Sequence, residues 1–210
     1  MKRATVKAGL TLPDGTGIIL AARLLGYPHF GRLDGPTLML YACDIGRKYS
    51  YRHFFYGGVG NVAVRNCERL SKLYPGLKVA GCQHGYFAEE KNREVVEAIK
   101  AAKPAVLFVA MGIPRQEKWI KRHLQELGVP VCMGVGGSFD VIAGRVKRAP
   151  EWMRCYGLEW LYRTLKQPRR LPRLAALPRM FLMTVHTLLL SPERPDNGEV
   201  EPDLPAEHEC

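Results

Sequence analysis

The sequence lacks most of the motifs that identify common nucleotide-binding and metal-dependent enzymes. It has no G-x-x-x-x-G-K-[ST] sequence, which argues against P-loop phosphoryl transfer. The glycines at 57–60 do not fit G-x-G-x-x-G, which argues against a dinucleotide-dependent dehydrogenase. There is no Asp-x-Asp triplet to hold a divalent metal on a diphosphate, and the histidines show no metal-ligand spacing. The sequence therefore predicts neither a metal site nor a cofactor.

Two further absences concern the cell compartment. The six cysteines include no C-x-x-C pair, so buried reduced thiols are favoured over disulfides or zinc. The chain opens with no signal peptide, and no run reaches the roughly 18 uncharged apolar residues of a membrane-spanning helix. These features predict a cytoplasmic protein.

Acidic residues are scarce outside the last 20 positions. Residues 1–190 carry 30 basic and 13 acidic groups, a net charge of +17, whereas residues 191–210 carry seven acids and one arginine. Such a body attracts phosphates, nucleic acid or anionic lipid. Nucleic acid is not the predicted partner, because helix-turn-helix and aromatic-basic strand motifs are missing. The acidic, proline-rich residues 191–210 are predicted to be a disordered tail.

The rest of the chain alternates apolar runs, turns and amphipathic stretches, which predicts an α/β fold. Strands are expected at residues 53–56, 77–80, 105–110 and 129–133, and helices up to Leu73 and at residues 92–102 and 114–127. This alternation is typical of an open, mostly parallel, Rossmann-like sheet with helices on both faces. Residues 1–150 are predicted to form this domain.

Three glycine-rich turns follow the predicted strands, where ligands bind in such sheets. Glycines let the backbone approach a ligand closely, and a helix that starts there directs its amides at anions. We therefore expect these turns to bind substrate through Gly57, Gly58, Gly112, Pro114, Gly136 and Gly137. Asp140 is expected to accept hydrogen bonds from sugar hydroxyls, and Gln116 to contact them too. For one such turn alone, an ordinary strand-turn-helix connection remains the alternative.

A fourth motif, Pro-Asp-Gly-Thr-Gly, follows the apolar residues 10–12, a predicted strand. Asp14 at the end of such a strand suits a general base in a cleft, and Arg32 suits a phosphate partner. The alternatives are that Asp14 only initiates a turn and that Arg32 is a surface charge near Asp34.

After Pro150 the chain is predicted to form a helical appendage over residues 151–190. Residues 161–180 carry six cations and no acid, interleaved with leucines, and an apolar stretch follows at residues 181–190. This pattern predicts an amphipathic segment on an anionic membrane surface. A helix packed on the body with an exposed basic face is the alternative.

Taken together, these motifs resemble the WecG/TagA/CpsF glycosyltransferase family, in register over roughly residues 10–180. The matching segments are PDGTG at 13–17, GRLDG at 31–35, FYGGVGN at 55–61, YPGLKVAG at 74–81, GYF at 85–87, MGIPRQEKWI at 111–120, GVGGSFDVIAGRVKRAPEWM at 134–153, GLEWLYR at 157–163 and QPRRLPR at 167–173.

The resemblance implies an inverting, metal-independent transferase at the inner face of the cell membrane. Family members move N-acetylmannosamine, or its uronic acid, from a UDP donor to a polyprenyl-diphosphate-linked N-acetylglucosamine, for wall teichoic acid, enterobacterial common antigen or capsule. By this resemblance, Asp14 stands at the position of the family's proposed base, and Arg32 stands at the position of an arginine implicated in activity. Gln116 stands at the position of a residue near the sugar. The appendage arginines implied to dock on the membrane and complete the donor site are Arg163, Arg169, Arg170 and Arg173.

One departure from the family bears on activity. Family members usually carry a strand-helix-strand segment before the PDG motif, and this chain starts almost at that motif. Either the start is misplaced, or the chain is a truncated, inactive module that binds nucleotide sugar or membrane. A minor departure is Gln167-Pro168 in place of the more usual Glu-Pro. Homo-oligomer formation is left open.

Overall fold

The computed structural model describes residues 8–27, 33–85, 91–168, 171–174 and 176–190. The predicted tail at 191–210 lies outside this range. The helices and strands follow in the order α1 (Thr16–Leu24), α2 (Gly35–Lys48), β1 (Arg52–Gly57), α3 (Val62–Leu73), β2 (Lys78–Gln83), α4 (Asn92–Ala102), β3 (Val106–Ala110), α5 (Arg115–Leu127), β4 (Val131–Gly134), α6 (Ser138–Ile142), α7 (Glu151–Cys155), α8 (Glu159–Lys166), α9 (Leu171–Leu174) and α10 (Ala176–Leu190).

The four strands form one open sheet in the order β2-β1-β3-β4, and all neighbouring pairs are parallel. In register, His53 pairs with Val106, which pairs in turn with Val131. All five residues of β3 are buried, as expected for an apolar strand covered on both faces. The α/β prediction is confirmed.

Helices cover both faces of this sheet. On one face Phe55 and Phe108, with ring centroids 5.4 Å apart, pack in a core with α2, α3 and α6. On the other face Phe54 and Leu107 pack in a second core with α4 and α5. The separation follows from the strand geometry, since successive side chains point to opposite faces.

The expected strand at residues 10–12 is wrong. Residues 10–14 form neither strand nor helix, and Asp14 lies two residues before the start of α1. Pro13 has no backbone N–H to donate to a ladder, and Gly15, with φ +124°, turns the chain into the helix. Asp14 therefore belongs to a loop that leads into a helix.

The chain divides into two compact units, Met1–Thr11 with Gly35–Lys147 and Leu12–Asp34 with Arg148–Cys210. The first contains the sheet and α2 to α6. In the second, α1 packs on α10 so closely that a Cβ at Gly17 would lie 2.6 Å from the Met180 Cε atom. The Thr16 hydroxyl donates to the Gly157 carbonyl at 2.8 Å, and Arg148 forms an ion pair with Asp34.

The cysteine prediction holds at four positions. Cys43, Cys67, Cys82 and Cys132 are free thiols. Burial raises the pKa of Cys43 to about 12, so this thiol stays protonated at neutral pH. Cys155 is not among the free thiols that the structure describes.

Within the described ranges, no helix combines the length and the apolar character that crossing a bilayer requires.

Candidate active site

The sheet order defines a crevice at the carboxyl ends of β1 and β3. From the end of β1 the chain crosses to β2 on one side, and from the end of β3 it crosses to β4 on the other. The connections therefore diverge between β1 and β3, the place where open parallel sheets bind ligands. Gly57 is the last residue of β1, and Gly112 follows β3 by two positions. Two of the three predicted turns thus lie side by side.

Gly57 is packed too tightly for any other residue. Its φ is +134°, and a Cβ there would lie 2.6 Å from the Ala110 carbonyl carbon. Gly58 N–H donates to the Ala110 carbonyl at 2.8 Å, and Gly85 N–H donates to the Gly58 carbonyl at 3.1 Å. Three backbone segments therefore meet at this edge of the sheet.

Gly57→Ala is expected to lower the free energy of unfolding by about 3 kcal/mol, because the methyl group adds a clash to a strained φ. Gly60→Ala is the matched control. Gly60 has φ +60°, with no atom within 4 Å of an added Cβ, so only the backbone cost of about 1 kcal/mol applies. Urea unfolding measures both variants. Equal losses in the two would contradict the close packing at Gly57.

Gln116 connects the start of α5 to the third glycine turn. Its side chain is buried, and its Oε1 accepts from the Gly136 N–H at 2.9 Å. Its Nε2 donates to Glu117 Oε1 at 3.0 Å. A Cβ at Gly134 would lie 2.7 Å from that Nε2. Gln116 thus positions the turn before Gly137, and the structure brings together two predicted site regions that lie 20 residues apart in sequence.

Glu117 is a further candidate for the site, and it lies in the first turn of α5. Its second oxygen, Oε2, is buried and has no hydrogen-bond partner in the structure. A buried carboxylate oxygen without a partner is costly, and such groups concentrate where ligands bind. The Gln-Glu pair directly after a strand and turn is the signal that could have found it.

Asp140 lies in α6, which begins directly after Gly137. Its carboxylate is 37% exposed and lies 3.5 Å from the Arg145 guanidinium. An exposed acceptor beside a cation can bind a hydroxyl group, and the role of Asp140 stays a prediction.

Asn66 holds α6 in place and was not predicted. This residue of α3 is fully buried, and its Nδ2 donates to the Phe139 carbonyl at 3.0 Å and to the Val62 carbonyl at 3.1 Å. Arg69, one turn further along α3, donates to the Ile142 carbonyl at the end of α6 at 3.0 Å. No local sequence signal distinguishes a buried Asn from an exposed one, so only the structure assigns this role.

Asp14 belongs to the second unit. It lies in the loop before α1, and it is exposed. Leu33 N–H reaches the Pro13 carbonyl at 3.4 Å, which brings the motif of Asp14 next to residues 33–34. Arg32 itself lies outside the described residues.

Of the four predicted appendage arginines, Arg163 is the one whose side chain the structure describes. It forms an ion pair within α8 with Glu159, a carboxylate that is almost fully buried. Arg173 lies in α9, with its side chain outside the described part, and Arg169 and Arg170 lie outside it altogether. In the described part of the chain, no group of three or more His, Cys, Asp or Glu side chains could hold a metal ion.

Comparison with known proteins decides the relationship. The family described as "Glycosyl transferase WecG/TagA/CpsF family" matches residues 1–194. The chain belongs to this family. Its membership confirms the resemblance of the motifs, and the two predicted turns at the β1–β3 crevice and the Gln116 contact lie within the matched residues.

Several curated family members are similar over most of the chain. Proteins from Bacillus spizizenii, Bacillus subtilis strain 168 and Staphylococcus aureus strain MW2 are 38%, 36% and 37% identical over 172, 171 and 172 residues. These matches cover 82%, 81% and 82% of this chain, and 66%, 66% and 67% of the relatives. The chain thus spans about two thirds of their length. Each relative is named an N-acetylglucosaminyldiphosphoundecaprenol N-acetyl-beta-D-mannosaminyltransferase.

Proposed function

We propose that this chain is a glycosyltransferase that moves N-acetylmannosamine, or its uronic acid, from a UDP donor to N-acetylglucosamine on a polyprenyl diphosphate. The observation that carries the proposal is the 36–38% identity, over about 170 residues, to relatives that are named as N-acetylmannosaminyltransferases acting on N-acetylglucosaminyldiphosphoundecaprenol. The UDP donor and the uronic acid are added from the family resemblance. The glycine turns that meet at the crevice between β1 and β3 support it, because such crevices bind nucleotides.

In the proposed mechanism the Asp14 carboxylate takes the proton of the acceptor hydroxyl. The hydroxyl oxygen forms a bond to the anomeric carbon from the face opposite UDP, and the bond between that carbon and the phosphate oxygen breaks. The configuration at the carbon is therefore inverted. The exposed position of Asp14 before α1 leaves it accessible to an acceptor.

The charge that UDP gains on leaving is proposed to be neutralised by side chains. The candidates are Arg32, Arg163, Arg169, Arg170 and Arg173, whose fixed positive charge suits diphosphate oxygens. Gly57, Gly58, Gly112, Pro114, Gly136 and Gly137 are proposed to line the substrate at the sheet edge, with Asp140 accepting from a sugar hydroxyl. Gln116 is proposed to act near the sugar.

Transfer is expected to persist in excess EDTA, because these cations take the place of a divalent metal. The rate with EDTA is compared with the rate in added magnesium or manganese. A loss of transfer on chelation that either metal restores would refute the metal-independent mechanism.

We propose that the appendage docks on the anionic inner face of the membrane, which carries the acceptor. In α10 the spacing of Phe181, Leu182 and Leu189 places them on one side, and all are exposed. Arg179 lies on the adjoining side of the same helix. Exposed apolar side chains beside a cation suit a helix that lies in the membrane interface.

Transfer to a polyprenyl-diphosphate-linked N-acetylglucosamine acceptor in vesicles, with UDP-N-acetylmannosamine as donor, tests the proposal. Product formation that depends on both substrates is expected. UDP binding without any turnover would instead identify a nucleotide-sugar-binding module, the second candidate.

A further inference from the structure

A pocket of about 290 Å³ opens on the α4–α5 side of the sheet. Tyr56 and Met111 line it, and each directly precedes a glycine of the crevice. The pocket therefore adjoins the β1–β3 edge, and none of the predicted site residues that the structure describes lines it.

One wall of the pocket is strongly basic. Arg115, Lys118 and Arg122 line it, and their spacing of three and four residues places them along one face of α5. From Arg115 to Arg122 the helix rises about 10 Å, so these cations can contact an anion that carries more than one phosphate.

Aromatic rings and hydrogen-bond donors also line the pocket. The Tyr56 and Trp119 rings pack with centroids 4.7 Å apart, and Trp119 Nε1–H donates to Asn92 Oδ1 at 3.2 Å. With its oxygen used in this way, Asn92 presents an amide N–H₂ as its donor group. Burial raises the pKa of Tyr56 to about 12, so its hydroxyl keeps its proton at neutral pH.

We propose that this pocket binds the diphosphate group of a substrate. The three cations supply charge, Tyr56 and Asn92 supply neutral donors, and the N-terminal end of α5 adds its dipole. The substrates of the proposed function both contain a diphosphate, in UDP and in the polyprenyl carrier. The identity of the bound molecule rests on that proposed function, whereas the anion pocket itself does not.

Calorimetric titration with inorganic pyrophosphate tests the pocket. The Lys118→Ala/Arg122→Ala variant is expected to bind at least tenfold more weakly than the unmodified chain, because charge-assisted hydrogen bonds are lost. The matched control is Lys121→Ala/Lys72→Ala, which removes two exposed cations that do not line the pocket. It is expected to stay within about twofold of the unmodified chain, since cations outside the pocket make no charge-assisted hydrogen bond to the bound anion.

The proposal is overturned if the unmodified chain does not bind pyrophosphate, if the pocket variant binds it equally well, or if the control loses as much. All four substituted residues are exposed, and thermal unfolding of both double variants verifies that they are folded.

Two further titrations identify the source of the diphosphate. A selective loss of UDP binding in the pocket variant assigns the pocket to the donor, and a selective loss of farnesyl diphosphate binding assigns it to the lipid acceptor. Failure of the proposed function gives a different result, since pyrophosphate binding at the pocket would then persist in a chain that transfers no sugar.

Discussion

Asp14→Asn is expected to lower the turnover number by about 10²–10⁴-fold, the range that general-base catalysis contributes. The amide keeps the size of the carboxylate but cannot take the proton of the acceptor hydroxyl. Binding of the UDP-sugar donor is expected to be unchanged, because a base acts on the acceptor. Initial rates with saturating donor, together with a donor titration, measure both quantities.

Asp44→Asn is the matched control. Asp44 lies on α2, where it pairs with Arg47 at 2.7 Å, and its substitution is expected to leave turnover unchanged. Near-normal turnover of Asp14→Asn would remove Asp14 from the role of base. Equal losses in both variants would indicate a general effect of charge on the fold or on substrate attraction.

Placing acids on the apolar side of α10 is expected to abolish sedimentation with anionic vesicles. Phe181, Leu182 and Leu189 are 56%, 67% and 76% exposed, so substitution of all three by Asp leaves the described packing in place. The three introduced aspartates oppose burial of α10 in the membrane interface, and they repel anionic lipid. Cosedimentation at several salt concentrations measures the effect, and transfer to a vesicle-borne acceptor is expected to fall with it.

The control puts three aspartates at Tyr41, Tyr49 and Leu73, equally exposed apolar positions of the first unit. This variant is expected to sediment nearly as well as the unmodified chain. Removal of residues 191–210 is expected to leave binding intact or to raise it, since seven acids are lost. Unchanged binding of the α10 variant would mean that α10 is only a packed helix.

Most of the sheet could be predicted because its strands are nearly continuous apolar runs. The run at Val106–Ala110 predicts a buried parallel strand, and the spacing of Val95, Val96 and Ile99 predicts the helix at Asn92–Ala102 with its bounds. The apolar residues 10–12 mislead, since an apolar run without a partner strand cannot form a ladder. Hydrophobicity indicates burial, but pairing depends on the rest of the fold.

The glycine turns of the candidate site could be predicted from the sequence, but the hydrogen bonds that join its parts could not. Glycine clusters after strands are local signals, whereas the bond from Gln116 to Gly136 spans 20 residues and the bond from Asn66 to Phe139 spans 73. Such long-range hydrogen bonds leave no trace in local composition. The pocket beside Trp119 was missed for the same reason, because Tyr56 and α5 come together only through the sheet.

The packing of α1 on α10 determines an order of events during synthesis. The ribosome makes α1 first, yet its partner helix emerges about 150 residues later, roughly 10–30 s at ordinary elongation rates. The elements of the sheet, which lie between these two helices in the chain, can complete their pairing in that interval. The side of α1 at Gly17, which Met180 and Leu177 of α10 cover in the finished structure, meanwhile stays open in the nascent chain. The second unit therefore closes only when its last helix has left the ribosome.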